Sequence, residues 1–260
     1  MKKALSIAGF DPTGWAGVIA DVKAFWAMGV EGLSAITALT VQDLASVGAV
    51  SPVSPVFLSE EITTLLDGFG VDAVKIGMLA TAGNVRAVSR VIKEKGLKNI
   101  VLDTVFSSTG GHPLLDKDGV EVLKRRLLPL CTVVTPNLDE ASVLAEIRIN
   151  GPEEMEYAAV RISGLGAANV LVKGGHLEGP PVDILFDGKG FHYFEARRIK
   201  APREAFHGTG CMLSSALTAG LARGKTVRKA AEEAKRYTEK VIRERIKLMS
   251  GKTFFLRGTF

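Results

Sequence analysis

The chain has 260 residues, 47% of them hydrophobic and 23% charged, with a net charge of +5 and two cysteines. That composition can build an apolar core, which excludes a disordered chain, and its 28 glycines follow no collagen-like period. Two cysteines cannot make a disulfide scaffold or a four-thiolate zinc site and point to a reducing cytoplasm, while the length fits a single domain over residues 1–260.

The first residues, Met1-Lys2-Lys3 before Ala4-Leu5-Ser6-Ile7-Ala8, briefly imitate a signal peptide. The apolar run is too short and Asp11-Pro12 follows at once, so Ala4–Ala8 reads as a first strand. Strands are then predicted at Ser34–Leu39, Ala73–Ile76, Ile100–Asp103, Thr132–Thr135 and Val170–Lys173, where short, mostly β-branched apolar runs suit strands buried on both faces. Helical patterns lie between them at Ala16–Met28, Ser59–Phe69, Ala82–Lys95, Gly119–Leu127 and Glu153–Leu165. This alternation predicts a mostly parallel sheet between two helical layers, joined by right-handed crossovers.

The rhythm changes near Pro180. Val182–Phe186 and Phe191–Phe194 flank Asp187-Gly188-Lys189-Gly190, a late antiparallel hairpin with a glycine turn. Helices follow at Cys211–Ala222 and Val227–Met249, the second with one apolar stripe and two favourable i,i+4 pairs, Glu232–Arg236 and Glu239–Arg243. Residues 223–249 hold ten Lys/Arg and four Glu, a local +6 that leaves the rest of the chain at −1. Without interleaved aromatic residues this reads as a solvated helix face rather than a nucleic-acid surface. No stretch approaches the ~20 apolar residues of a membrane span.

Common nucleotide motifs fail. Gly220–Thr226 imitates a P-loop, but Ala219 replaces its first glycine and a helix, not a strand, precedes it. No Gly-x-Gly-x-x-Gly follows the first strand. The informative segment is His207-Gly208-Thr209-Gly210-Cys211, where a glycine turn opens a helix. Backbone N–H groups there can hold an anion, and a first-turn position is expected to lower the Cys211 thiol pKa. A plain glycine turn before a buried cysteine fits the same residues. Ala8–Gly17 is a loop at a strand's carboxyl end, where ligands bind in such sheets. Asn137 and Glu140 fit a helix cap, or a carboxylate and amide that hold Mg²⁺ through water. Asp103 and Lys173 close strands at the same rim.

Together these pieces resemble one family, the hydroxymethylpyrimidine and phosphomethylpyrimidine kinases of thiamine biosynthesis, within the ribokinase-like α/β/α fold. The matching motifs are Ile7-Ala8-Gly9-x-Asp11-Pro12-Thr13-Gly14-x-Ala16-Gly17, Ala20-Asp21, Ile36–Gln42 and Lys75-Ile76-Gly77-Met78-Leu79, then Val101–Val105, Thr135-Pro136-Asn137-Leu138-x-Glu140-Ala141, Val172–Leu177 and His207–Cys211. They run in order from about residue 4 to 222.

The resemblance implies ATP-dependent phosphorylation of 4-amino-5-hydroxymethyl-2-methylpyrimidine, then of its monophosphate, by a homodimer. It implies that Gln42 reads the pyrimidine edge, for which its amide carries both a donor and an acceptor, and that Gly9, Asp11, Ala16, Val41, Met78 and Val105 frame the ring. Gly208, Gly210 and the N–H groups around Thr209 would form the anion hole, with Cys211 as general base. Asp103, Asn137, Glu140 and Lys173 would organise the phosphates, Asp103 and Glu140 holding Mg²⁺ through water. Three positions depart from the family's pattern: Trp15 replaces a glycine, Phe10 a small residue, and Thr109 a lysine that would face the phosphates. A pyridoxal or pyridoxine kinase is the nearest alternative, and a pyrimidine sensor without turnover is the alternative outside enzymes.

Overall fold

The structure is a computed structural model and describes residues 1–249 except 109, 176 and 178. The strands are β1 (Lys3–Phe10), β2 (Glu31–Gln42), β3 (Val47–Pro52), β4 (Ala73–Ile76), β5 (Ile100–Leu102), β6 (Val133–Val134), β7 (Val170–Lys173), β8 (Val182–Phe186) and β9 (Phe191–Glu195). The helices are α1 (Gly17–Ala27), α2 (Pro55–Gly68), α3 (Ala82–Lys95), α4 (Lys117–Val122), α5 (Leu138–Ala145), α6 (Pro152–Gly164), α7 (Thr209–Ala222) and α8 (Val227–Met249).

One sheet of nine strands runs β3-β2-β1-β4-β5-β6-β7-β8-β9. The block from β2 through β7 is parallel. β3, β8 and β9 are antiparallel to their neighbours. The late hairpin is as expected: Asp187 accepts from the N–H groups of Lys189 (3.0 Å) and Gly190 (2.9 Å), and Gly188 takes the positive φ of +83°. The early pair β2–β3 was not expected. Val47–Pro52 is an exposed edge with little apolar alternation, so only its pairing with β2 makes it a strand.

Strand periodicity explains the two cores. On one face Leu5, Ile7, Val74, Ile76, Ile100 and Leu102 pack under α2, α3, α5 and α6. The alternate residues Ala4, Ala73, Val101 and Val133 face α1, α7 and α8. The smaller residues on that face admit closely packed helices. At Gly220 a Cβ would lie 2.7 Å from Ala230 Cβ, so this glycine serves α7–α8 contact and not a phosphate loop. Of the two charge pairs expected on α8, Glu232–Arg236 closes at 2.9 Å, whereas Glu239 lines a cavity.

Helix ends are fixed locally. Ser54 and Thr81 accept from the N–H groups of Phe57 and Asn84. Asn137 and Glu140 form a reciprocal capping box at 2.9 and 2.8 Å. Among the described residues, no helix is long and apolar enough to cross a membrane.

Candidate active site

β1 lies between β2 and β4, so the chain leaves it toward one side and returns on the other. Such a switch point opens a crevice at the strands' carboxyl ends. A cavity of about 780 Å³ occupies it, within the usual size range of small-molecule sites.

The loop after β1 forms one wall. Asp11 accepts from the backbone N–H groups of Thr13 and Ala16, both at 2.8 Å, and from the Thr13 hydroxyl at 2.9 Å. His207 Nε2 lies 3.0 Å from Oδ2, the oxygen that also accepts from Ala16 and the Thr13 hydroxyl. Burial opposes its charge, but hydrogen bonds from His207, Gln42 and Thr13 outweigh burial and hold the carboxyl well below the ordinary range. Gln42 therefore reaches from β2 across to this loop. Gly17 has φ +61°, and a Cβ there would lie 2.3 Å from the Gly9 carbonyl oxygen, so only glycine fits.

The start of α7 forms the second wall. Gly208 is its N-cap with φ +68°, and no side chain caps this helix. The first-turn N–H groups, through Cys211, are left facing the cavity without helical partners. The Thr209 hydroxyl donates to the Phe206 carbonyl at 2.9 Å, so its backbone N–H is the donor it has left for an anionic ligand. Gly210 borders the charged part of the site, because a Cβ there would lie 3.3 Å from Lys173 Nζ.

The Cys211 thiol departs from expectation. Burial pushes it up to about 11, and the lowering by Lys75 and by the Gly17 N–H does not compensate. Desolvation outweighs the helix N-terminus here. Cys131, the other cysteine, is fully inside the core with its thiol also pushed up by burial.

Opposite α7 lies a charged cluster. Lys173 Nζ donates to Asp103 Oδ1 at 2.8 Å, and Thr135 and Ser214 hydroxyls donate to the same carboxylate. Burial disfavours the Lys173 charge, yet Asp103 and Glu140 outweigh it and hold the pKa above the ordinary lysine value. Burial likewise opposes the Asp103 charge, and Lys173 with Lys75 reverses that and keeps it ionised. Glu140 is pushed up to about 7, first by burial and then by Asp103, against the pull of Lys173. Its Oε2 serves the cap and accepts from Thr104 at 3.0 Å. The cap and the cavity lining are thus the same residue, so the two roles open to Asn137 and Glu140 do not compete. No group of three metal-ligating side chains exists among the described residues. Two carboxylates with hard oxygens suit Mg²⁺ that keeps its waters and is shared with phosphate groups.

Under this floor sits a polar plug. Lys75 and Asp21 pair at 2.7 Å with no exposure on either side. Asp21 also accepts from Ser6 at 2.6 Å and Ser215 at 2.7 Å. One carboxylate therefore ties β1, β4 and α7 together.

The cavity gathers Gly9, Asp11, Ala16, Gln42, Met78, Val105, Asp103, Asn137, Glu140, Lys173, Gly208, Thr209, Gly210 and Cys211. Gly9 leaves room for Met78, whose Sδ would be 2.9 Å from a Cβ at that position. Val41, expected in the ring pocket, does not line it: strand alternation turns Thr40 and Gln42 inward and leaves Val41 70% exposed. Thr109, His176 and the tail 250–260 lie outside the described residues. Sequence reasoning gave no role to His207, which lines the cavity, or to Lys75, which closes its floor without any exposed surface. A lysine inside an apolar strand signals a buried counter-ion, and that cue was available for Lys75.

The phosphomethylpyrimidine kinase family profile matches residues 11–255. The chain belongs to that family. It is a phosphotransferase of the ribokinase-like fold. A hydroxymethylpyrimidine/phosphomethylpyrimidine kinase from Aquifex aeolicus is 42% identical over 251 residues, covering 95% of this chain and 97% of the relative. A pyridoxine kinase from Bacillus subtilis is 38% identical, over 94% and 91% of the two chains. Among solved structures, the Staphylococcus aureus pyridoxal kinase in complex with AMP-PCP and pyridoxal superposes with a TM-score of 0.83 at 33% identity, covering 92% of this chain and 87% of that one. Phosphomethylpyrimidine kinases and pyridoxal kinases thus share this architecture.

Proposed function

We propose that this cytoplasmic enzyme transfers the γ-phosphoryl group of ATP to the hydroxymethyl oxygen of 4-amino-5-hydroxymethyl-2-methylpyrimidine, and then phosphorylates the monophosphate. The observation that carries this is the uncapped start of α7, with Cys211 and Lys173 beside it, in one cavity with Gln42. Gln42 offers a donor and an acceptor to the aminopyrimidine edge. Met78 and Val105 bound the ring. The amides of residues 209–211 and Lys173 stabilise the transferring group, whose charge sits on its equatorial oxygens. Ile199, Leu213 and Ile242, which also line the cavity, offer apolar surface to the adenine base.

The hydroxymethyl oxygen forms the new P–O bond as the bond to the β-phosphate oxygen breaks, and ADP leaves. Cys211 takes the alcohol proton. With the thiol at about 11, only the minor thiolate form can do so, and proton removal trails bond formation in a loose transition state. Mg²⁺ bound near Asp103 and Glu140 would offset phosphate charge.

An ADP-release assay with ATP, Mg²⁺ and a panel of pyrimidines and pyridoxines tests this. Turnover with the aminopyrimidine and its monophosphate is expected; ADP release no faster than the substrate-free background refutes it. The similarity to pyridoxine and pyridoxal kinases favours a second substrate class. A larger kcat/KM for pyridoxal than for the aminopyrimidine would make that the principal activity. The homodimer implied by the resemblance belongs to the same proposal, and sedimentation at micromolar concentration checks it.

A further inference from the structure

The basic helix α8 turns Arg245 inward, as it does Lys235, which pairs with Asp183 at 2.6 Å. Arg245 is only 5% exposed. Its guanidinium donates to the carbonyl of His207 and to the carbonyl of Trp15 at 2.9 Å. Its Cζ also stands 4.3 Å from the centroid of the Trp15 ring, within range of a cation–π contact. The two carbonyls belong to the two glycine loops that make the cavity walls. Those loops meet directly, because a Cβ on Gly208 would lie 2.1 Å from the Trp15 carbonyl oxygen. They are also bridged by His207 and Asp11 at 3.0 Å.

We propose that Arg245 is a positioning residue: its guanidinium fork holds the loop after β1 and the first turn of α7 at the spacing phosphoryl transfer needs, with its charge over the Trp15 ring. Two carbonyl oxygens brought together in a partly buried junction repel each other and lack donors. A planar fork with five N–H groups satisfies both at once. Burial pulls the Arg245 pKa down only to about 10, so the fork stays charged at neutral pH. The assignment gives Trp15, which stands where the resemblance expects glycine, a defined task. It also separates Arg245 from the rest of the α8 charge run.

This inference rests on the phosphotransfer proposal, and its test is arranged so that the two fail separately. The protein has two tryptophans, and Trp26 is exposed on α1. Trp26→Phe therefore leaves Trp15 as the sole emitter without touching the site. In that background Arg245→Met is expected to change the Trp15 emission and to lower kcat by 10- to 100-fold, the scale of about 1 Å of misplacement. KM for ATP should stay within about threefold. Arg245→Lys keeps the charge and most of the volume but not the fork, so it should restore thermal stability and leave kcat low. Full recovery of kcat by lysine, or an Arg245→Met protein that melts earlier yet turns over normally, overturns the positioning role. Unchanged Trp15 emission in Arg245→Met overturns the clamp itself, even if wild-type protein releases no ADP, an outcome that would refute only the phosphotransfer proposal.

Discussion

Replacing Lys75 with methionine keeps the apolar stem and removes the ammonium that pairs with Asp21 at 2.7 Å. Neither partner has any exposure, so no water replaces the lost charge. Asp21 keeps the hydroxyl donors of Ser6 and Ser215, so its carboxylate is left without its counter-charge but not without hydrogen bonds. Breaking a buried pair from one side costs about 3–5 kcal/mol. The two retained hydroxyls place this case at the lower end, about 3 kcal/mol at pH 8. Lys75→Met with Asp21→Asn removes both charges while keeping an acceptor for the serines, and should recover more than half the loss. Urea denaturation of wild type and both variants at pH 8 reads both changes. A single variant within about 1 kcal/mol of wild type, or a double variant no more stable than the single, would refute the picture of a charge stranded under the floor.

Three further outcomes are expected. Cys211→Ala should lower kcat by about 10²–10⁴-fold, and near-normal turnover would remove it as the proton acceptor; with the thiol at about 11, iodoacetamide labelling of Cys131→Ser protein should rise about tenfold per pH unit from 7 to 10 without a plateau. Gly208→Ala puts a Cβ 2.1 Å from the Trp15 carbonyl at φ +68°, which should cost about 1–3 kcal/mol and reduce kcat at least about 100-fold; wild-type melting and kinetics would show that the junction relaxes freely. Glu140 is held at about 7 in the fold against an ordinary 4.5, so the native state keeps a proton the unfolded chain loses, and stability falls as pH rises from 4.5 to 7. Glu140→Gln preserves the capping box and should be more stable than wild type at pH 8, by up to about 3 kcal/mol, yet less active with Mg²⁺ and ATP; a destabilised Gln variant at pH 8 would contradict the assigned burial.

Much of this molecule can be read from its residues because its strands are buried on both faces. Continuous runs such as Ile100–Leu102 and Val170–Lys173 announce parallel strands, and Asn137 with Glu140 announces the cap of α5, whereas the Ser54 cap, ahead of the Ser59 start expected for α2, goes unmarked. β3 left no such mark, since an exposed edge strand gains its conformation from a neighbour. Asp11, Asp103 and Lys173 were recognisable because they close strands at one rim. The Cys211 thiol was misjudged because helix position is visible in sequence while desolvation depends on the packing of distant segments. Val41 was misplaced because a motif names a stretch and only the pleat decides which side chains turn inward. Arg245 was hidden in a charge run, where nothing distinguishes the one arginine that faces inward until α8 is docked.

The layer formed by Leu213, Leu217, Leu221, Ala230 and Ala234 is contributed almost entirely by the last fifth of the chain. On the ribosome, a nascent polypeptide of some two hundred residues has its sheet sheltered on one side by α2, α3, α5 and α6. The other side carries α1 alone. Until α7 and α8 have emerged, that side of the sheet stays a bare hydrophobic surface, and premature termination upstream of α7 yields a sticky fragment rather than a weakened catalyst.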